Sequence, residues 1–211
     1  MLDELADSEQ GTITIAPEVA TEHLQKVINK AIPRERLYYV FEEALKRDIL
    51  NLRLYFLIGV PYETSADVEA IVDMARDMRS ILLPYAKRTG RMGKISFTIS
   101  PMVPKPSTPF QWVAMEDPKS IARKLTFLKK EINRLGSLKV SSASARLAYQ
   151  EAVFARGDRR LGGVILDLSR GMAWKQTFRK HRLDPEFYAL RPRPLTELNP
   201  RSEETRLNSS H

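Results

Sequence analysis

Residues 55–69 read YFLIGVPYETSADVE. An apolar run stops at Gly59, passes Pro61 and turns polar at Glu63-Thr64 before a helical pattern begins. Together with the residues just before it, the run LRLYFLI (52–58) predicts a strand. It shows little alternation, as expected of a strand covered on both faces. Val68, Ile71, Val72, Ala75 and Met78 recur at helical spacing and predict a helix over 66–83. Ser65 and Asp67 are suited to cap that helix. Capping explains Thr64, Ser65 and Asp67 but not Gly59-x-Pro61. Gly59 has no Cβ, so a ligand or another backbone can approach closely there. Ligands in parallel α/β sheets sit beyond the carboxyl ends of the strands, where this turn falls.

The pattern extends in both directions. TITIA (12–16) predicts a short strand that ends in Pro17-Glu18. TEHLQKVINK (21–30) predicts a helix with Thr21 as N-cap. After Pro33, RERLYYVFEEALKRD (34–48) predicts another, with Leu37, Val40, Phe41, Ala44 and Leu45 as its apolar stripe. ISFTIS (95–100) and SLKVSS (137–142) predict two more strands, and helices are predicted over 118–135 and 143–156. This alternation argues for an α/β fold with a parallel sheet and crossover helices. Three or four strands are too few for a closed eight-strand barrel. The first starts near residue 12, so the chain reads as the back half of a larger unit.

From about residue 157 the pattern changes. RGDRRLGGVILDLSRG and RKHRLDPEFYALRPRPLTELNP are helical fragments broken by Gly and Pro. The last eleven residues, RSEETRLNSSH (201–211), are polar and aperiodic, which predicts disorder. They resemble translated adapter or vector sequence. The expected organisation is a barrel segment over 1–135, a basic, mainly helical extension over 136–200, and that tail.

Apolar residues make up 43% of the 211, enough for a core. No apolar run approaches the roughly 18–20 residues of a membrane span. The acidic start MLDELADSEQ lacks the plan of a signal peptide, so a cytoplasmic protein is expected. Cysteine is absent, which excludes thiolate nucleophiles and Cys-ligated metal sites within this chain. His23, His181 and His211 stand far apart. The net charge of +8 is uneven: Lys119–Arg193 holds 18 Lys+Arg against 6 Asp+Glu, whereas residues 1–118 hold 14 against 17. The basic stretch is either a solvated surface or one that faces an anionic partner such as RNA.

Three turns follow predicted strands: Pro17-Glu18, Gly59–Thr64 and Ser100–Trp112. Glu18 is either an acceptor for ligand hydroxyl or amino groups or a helix-start carboxylate favoured by the dipole. In the third turn Pro101, Pro104, Pro106 and Pro109 forbid a helix. Its Lys105, Phe110, Gln111 and Trp112 suit a planar or anionic ligand, or else a loop packed on the last helix. No phosphate loop is present, because no Gly-Lys-Ser/Thr follows Gly59. No Ser-His-Asp arrangement is visible.

Taken together, TITIAPEVATEHLQKVINKAI, YFLIGVPYETSADVEAIVDMA and SPMVPKPSTPFQW resemble the second half of the core of radical S-adenosylmethionine (radical SAM) enzymes. The likeness covers about residues 10–200. It is strongest to the branch that often carries an N-terminal cobalamin-binding domain. It implies the C-terminal part of a partial (β/α)6 TIM-like barrel, a [4Fe–4S] cluster held by three cysteines, and reductive cleavage of S-adenosylmethionine to a 5′-deoxyadenosyl radical. It also leaves cobalamin use open. Carried over by position, the resemblance implies that Glu18 contacts the ribose or methionine part of S-adenosylmethionine. Gly59, Val60 and Pro61, with Glu63 in the same G-x-P-x-E-T string, would form the turn near the adenine, and Val103 and Pro104 would flank it. Two departures stand out. The CxxxCxxC motif is absent, and Val19-Ala20 replaces the Ala-Gly usual after Pro-Glu. The chain alone is therefore expected to lack the enzyme's activity.

Overall fold

The computed structural model describes residues 11–197, so the tail over 201–211 lies outside the described residues. The chain divides into two units. The first holds residues up to Pro101 with Ser120–Ser144, and the second holds Met102–Lys119 with residues from Ala145 onward. The expected boundary ran through residue 135, whereas the loop after residue 101 groups with the later helices.

In the first unit β1 (Thr12–Glu18), β2 (Asn51–Ile58), β3 (Ile95–Pro101) and β4 (Leu138–Ser142) form one sheet in the order β1-β2-β3-β4. Every neighbouring pair is parallel. Between them run α1 (Glu22–Val27), α2 (Arg34–Lys46), α3 (Ser65–Thr89) and α4 (Pro118–Arg134), of which Pro118 and Lys119 group with the second unit. This is the parallel α/β arrangement that the hydrophobic periodicity predicts.

The sheet has two unlike faces. Leu52, Leu54, Phe56 and Ile58 of β2 and Ile95, Phe97 and Ile99 of β3 are buried on one of them. Phe56 and Phe97 stack there at 5.9 Å. Truncating a core residue such as Leu54 to Ala costs about 2–5 kcal/mol. The other face carries Thr14, Arg53, Ser96 and Lys139 in one row and Tyr55, Thr98 and Ser141 in the next. These residues are exposed or half-buried. Among the described residues β2 is thus covered fully on one face only, whereas its sequence implies cover on both. Tyr55 and Leu57 supply apolar bulk on the half-buried face and mask the alternation.

The helices also differ from expectation at their ends. α1 stops at Val27, not residue 30, because Asn29 turns left-handed at φ 52°. Its N-cap Thr21 makes no capping bond with its side chain. α3 begins with Thr64 as N-cap, not Ser65, and Thr64 forms a capping box with Asp67. It then runs through Pro84 to Thr89. An internal Pro removes a hydrogen bond and costs about 3 kcal/mol. The apolar stripe spans it, with buried Leu82 before and buried Tyr85 after, and the Tyr85 hydroxyl donates to Asp48 at 2.5 Å.

The second unit has its own core. α5 (Ala145–Ala155), α6 (Leu161–Ser169), α7 (Trp174–Lys180) and α8 (Pro185–Ala189) pack Ala152, Val153, Leu161, Val164, Phe178 and Tyr188 together. Asp167 on α6 accepts from Lys180 at 2.8 Å and pairs with His181 at 2.7 Å, which ties α6 to the end of α7. No helix among the described residues is long and apolar enough to cross a membrane.

Candidate functional site

Five of the residues singled out in the sequence sit at the carboxyl ends of β1 and β2. β1 reaches Glu18 through a bulge between Ile15 and Glu18, after which Glu18 pairs with Phe56. Pro17 has no N–H to give the ladder, so a bulge is where it fits. Glu18 takes φ 67°, a left-handed conformation that costs a non-glycine residue about 1 kcal/mol. Its carboxylate accepts from Lys30 at 2.9 Å and keeps about a quarter of its side chain exposed. It is thus oriented by a cation and still reachable.

Gly59 follows β2 at φ 75°, where it avoids the Cβ penalty. Val60 is buried and Pro61 half-buried. The loop is held from within. Glu63 accepts from the Gly59 N–H through both carboxylate oxygens, at 3.0 and 3.1 Å. Lys124 of α4 donates to the same carboxylate at 2.6 Å, and the Glu63 side chain is only 3% exposed. Glu63 therefore works as a brace for the turn and not as a group offered to solvent.

Asp67 joins the two turns. It accepts from the Thr21 hydroxyl at 2.5 Å and from the Thr64 N–H and hydroxyl at 2.8 Å each. Burial pushes the Asp67 carboxyl up, but the bonds from Thr21 and Thr64 outweigh it and hold the group below the usual carboxylate range. The Thr21 hydroxyl that was expected to cap α1 is spent on this bridge.

Val103 and Pro104 belong to the second unit. Pro104 is buried, and Val103 packs against that unit's own core. In the same loop Lys105 is ion-paired with Glu151, Gln111 accepts from the Ser107 N–H at 3.2 Å, and the Trp112 carbonyl accepts from the Arg193 N–H at 2.8 Å. Of the two readings of this loop, these contacts match packing on the later helices.

Arg156 is the anchor that sequence reasoning missed. It is fully buried and donates to the carbonyls of Val113 (2.7 Å), Ala189 (3.0 Å) and Arg191 (2.9 Å). Burial, with Arg193 and Arg191 nearby, pushes its pKa down to about 10. Arg193 in turn donates to the Arg156 carbonyl at 2.5 Å. In the sequence both arginines look like surface charge, and no local signal marks them as interior.

Among the described residues, no three His, Asp or Glu side chains are grouped so as to hold a metal ion. The chain offers no cysteine to an iron–sulfur cluster either.

The chain is similar to a protein of Methanocaldococcus jannaschii described as "Uncharacterized protein MJ0966", with 28% identity over 159 residues. The aligned part is 75% of this chain and 33% of that protein, so the chain spans about a third of its relative's length. No family model and no solved structure matches the chain.

Proposed function

We propose that this chain is the C-terminal part of a radical SAM core and supplies one wall of an S-adenosylmethionine site. The observation that carries the reading is the sheet order. Four parallel strands follow one another without reversal, each beside its predecessor. A doubly wound sheet reverses at a switch point, whereas a (β/α) barrel winds onward in this way. The polar second face is compatible with the interior of such a barrel, and Glu18 and Gly59 fall at its carboxyl-end rim.

On this reading Glu18, oriented by Lys30, accepts hydrogen bonds from the ribose hydroxyls or the methionine amino group. Gly59 and Val60 offer close backbone approach, while Glu63 and Asp67 keep the turn in shape. The Gly59 N–H is already taken by Glu63, so the turn contributes shape and carbonyl oxygen rather than that donor. The cluster does not fit here, because its thiolate ligands must come from outside this chain. The far greater length of the archaeal relative is consistent with that. The test is to reconstitute the longer protein with iron and sulfide under reducing conditions. Formation of 5′-deoxyadenosine is expected, and its absence from a preparation with an intact cluster refutes the reading.

A second reading, an RNA-facing surface over residues 119–193, rests on the uneven charge. The structure trims that charge. Arg156 and Arg193 are buried, and Lys124, Arg134, Arg160, Lys180 and Arg191 are ion-paired. What remains predicts RNA binding that falls with salt at about 0.7 log units per log unit for each phosphate contacted on a single strand. Binding that ignores salt removes it.

A further inference from the structure

The second unit contains a cleft of about 680 Å³, within the size range of small-ligand sites. Tyr149, Trp174, Phe178, Leu183 and Leu190 line its floor. Trp174 is fixed there by its neighbours, with ring centroids 4.6 Å from Phe178 and 6.3 Å from Tyr149. Lys119, Arg146, Lys175 and Arg179 also line the cleft, and all four are exposed. None of the four forms an ion pair among the described residues, in contrast to Arg160, Lys180 and Arg191 of the same unit. Asp117, Asp184 and Glu186 also line the cleft. Asp184 and Glu186 lie near enough to the Tyr149 hydroxyl that, after burial, they help push it up to about 12.

This combination selects among ligand classes. A purely apolar occupant would leave the four unpaired cations beside the cleft unused. A bare phosphate would leave the aromatic floor unused. A nucleotide meets both features, since a base stacks on aromatic side chains while its phosphate is held by Arg and Lys. The rim carboxylates supply acceptors for the N–H edge of a base and disfavour a ligand that is anionic throughout. We infer that the cleft between α5, α7 and α8 binds a nucleotide, its base against the half-buried Tyr149 and Trp174 rings and its phosphate at Arg146, Lys175 and Arg179. The site is separate from the S-adenosylmethionine reading. It deepens the RNA reading of residues 119–193, because the nucleotide is either free or one unit of a single strand.

The test uses the 211-residue chain in a Trp112→Phe background, which leaves Trp174 as its single tryptophan. AMP, ribose 5-phosphate and a ten-residue oligoadenylate are titrated against Trp174 fluorescence. AMP is expected to quench it and to bind about fivefold to a hundredfold tighter than ribose 5-phosphate, the worth of one stacked base. Reversing the exposed charges in Lys175→Glu/Arg179→Glu is expected to weaken AMP at least tenfold. Photolabelling with 8-azido-AMP provides a readout without variants, and the label should map to peptides spanning 146–150 or 174–190. Oligoadenylate that binds tighter than AMP, with a steep salt slope, assigns the nucleotide to RNA; equal affinities assign it to a free nucleotide. The inference is overturned if neither ligand quenches Trp174, if ribose 5-phosphate equals AMP, or if the label maps elsewhere. Salt-steep RNA binding that survives the charge reversal removes the cleft but leaves the RNA reading standing.

Discussion

Replacing Glu63 tests whether the turn after β2 is braced from within. The carboxylate is 3% exposed, accepts from the Gly59 N–H through both oxygens, and meets Lys124 at 2.6 Å. Glu63→Ala removes these bonds together. A hydrogen bond to a charged group contributes about 1.5–3 kcal/mol net, and an orphaned buried N–H costs about 1–3 kcal/mol. Breaking a buried ion pair costs about 3–5 kcal/mol. Lys124 keeps 20% of its side chain exposed and can turn toward water, so the low end applies. The expected loss is about 3 kcal/mol, or roughly 6–12 °C in Tm for a chain of this size. Glu63→Gln keeps the shape and one acceptor oxygen, so about half of that is expected. Lys124→Met leaves the buried carboxylate without this partner, and the double variant with Glu63→Gln should recover about 1 kcal/mol or more of the summed loss. The assay is urea unfolding followed by circular dichroism, together with hydrogen exchange at the Gly59 amide. If Glu63→Ala stays within about 0.5 kcal/mol of the parent and the Gly59 amide remains protected, the brace does not exist.

Three further outcomes are expected. Asp67 has a folded-state pKa below its unfolded value, so its contribution is full above about pH 4 and disappears as pH falls through the folded pKa. Asp67→Asn should therefore flatten the acid limb of the stability–pH curve, and an unchanged limb would contradict the assigned bridge to Thr21 and Thr64. Arg156→Lys keeps the charge but cannot span the carbonyls of Val113, Ala189 and Arg191, so a loss of about 2 kcal/mol or more is expected, with faster exchange at the Met115 and Arg193 amides. A Cβ at buried Gly93 would lie 2.1 Å from the Leu50 carbonyl oxygen, whereas one at Gly90, which caps α3 at φ 69°, would meet nothing within 4 Å. Gly93→Ala should cost about 3 kcal/mol or more and Gly90→Ala about 1 kcal/mol, and thermal melts that reverse this order would sink the argument.

Much of the fold was legible in local periodicity. The four strands, the crossover helices and the apolar stripes of α2 and α3 follow from residue spacing, since a helix or strand must turn its apolar residues to one side to bury them. The turns at Glu18 and Gly59 were legible for the same reason, as breaks in that spacing. Spacing did not show that β2 buries one face only, because Tyr55 and Leu57 are apolar on the half-buried side. Nor did it show α3 continuing past Pro84, where Tyr85 is buried and its hydroxyl meets Asp48, 37 residues before it.

The roles of the charged residues depended on tertiary structure. Glu63 braces the Gly59 N–H locally, but the Lys124 ammonium reaches the same carboxylate only when folding brings it across 61 residues. Thr21 ceased to be a cap when Asp67 arrived, and Arg156 became an interior anchor for three distant carbonyls. The basic stretch was plain in the composition, but which cations stay unpaired beside an aromatic floor was not. Apolar burial is written into near-neighbour spacing, whereas a charge acquires its meaning from whichever dipoles and opposite charges the fold places within a few ångströms.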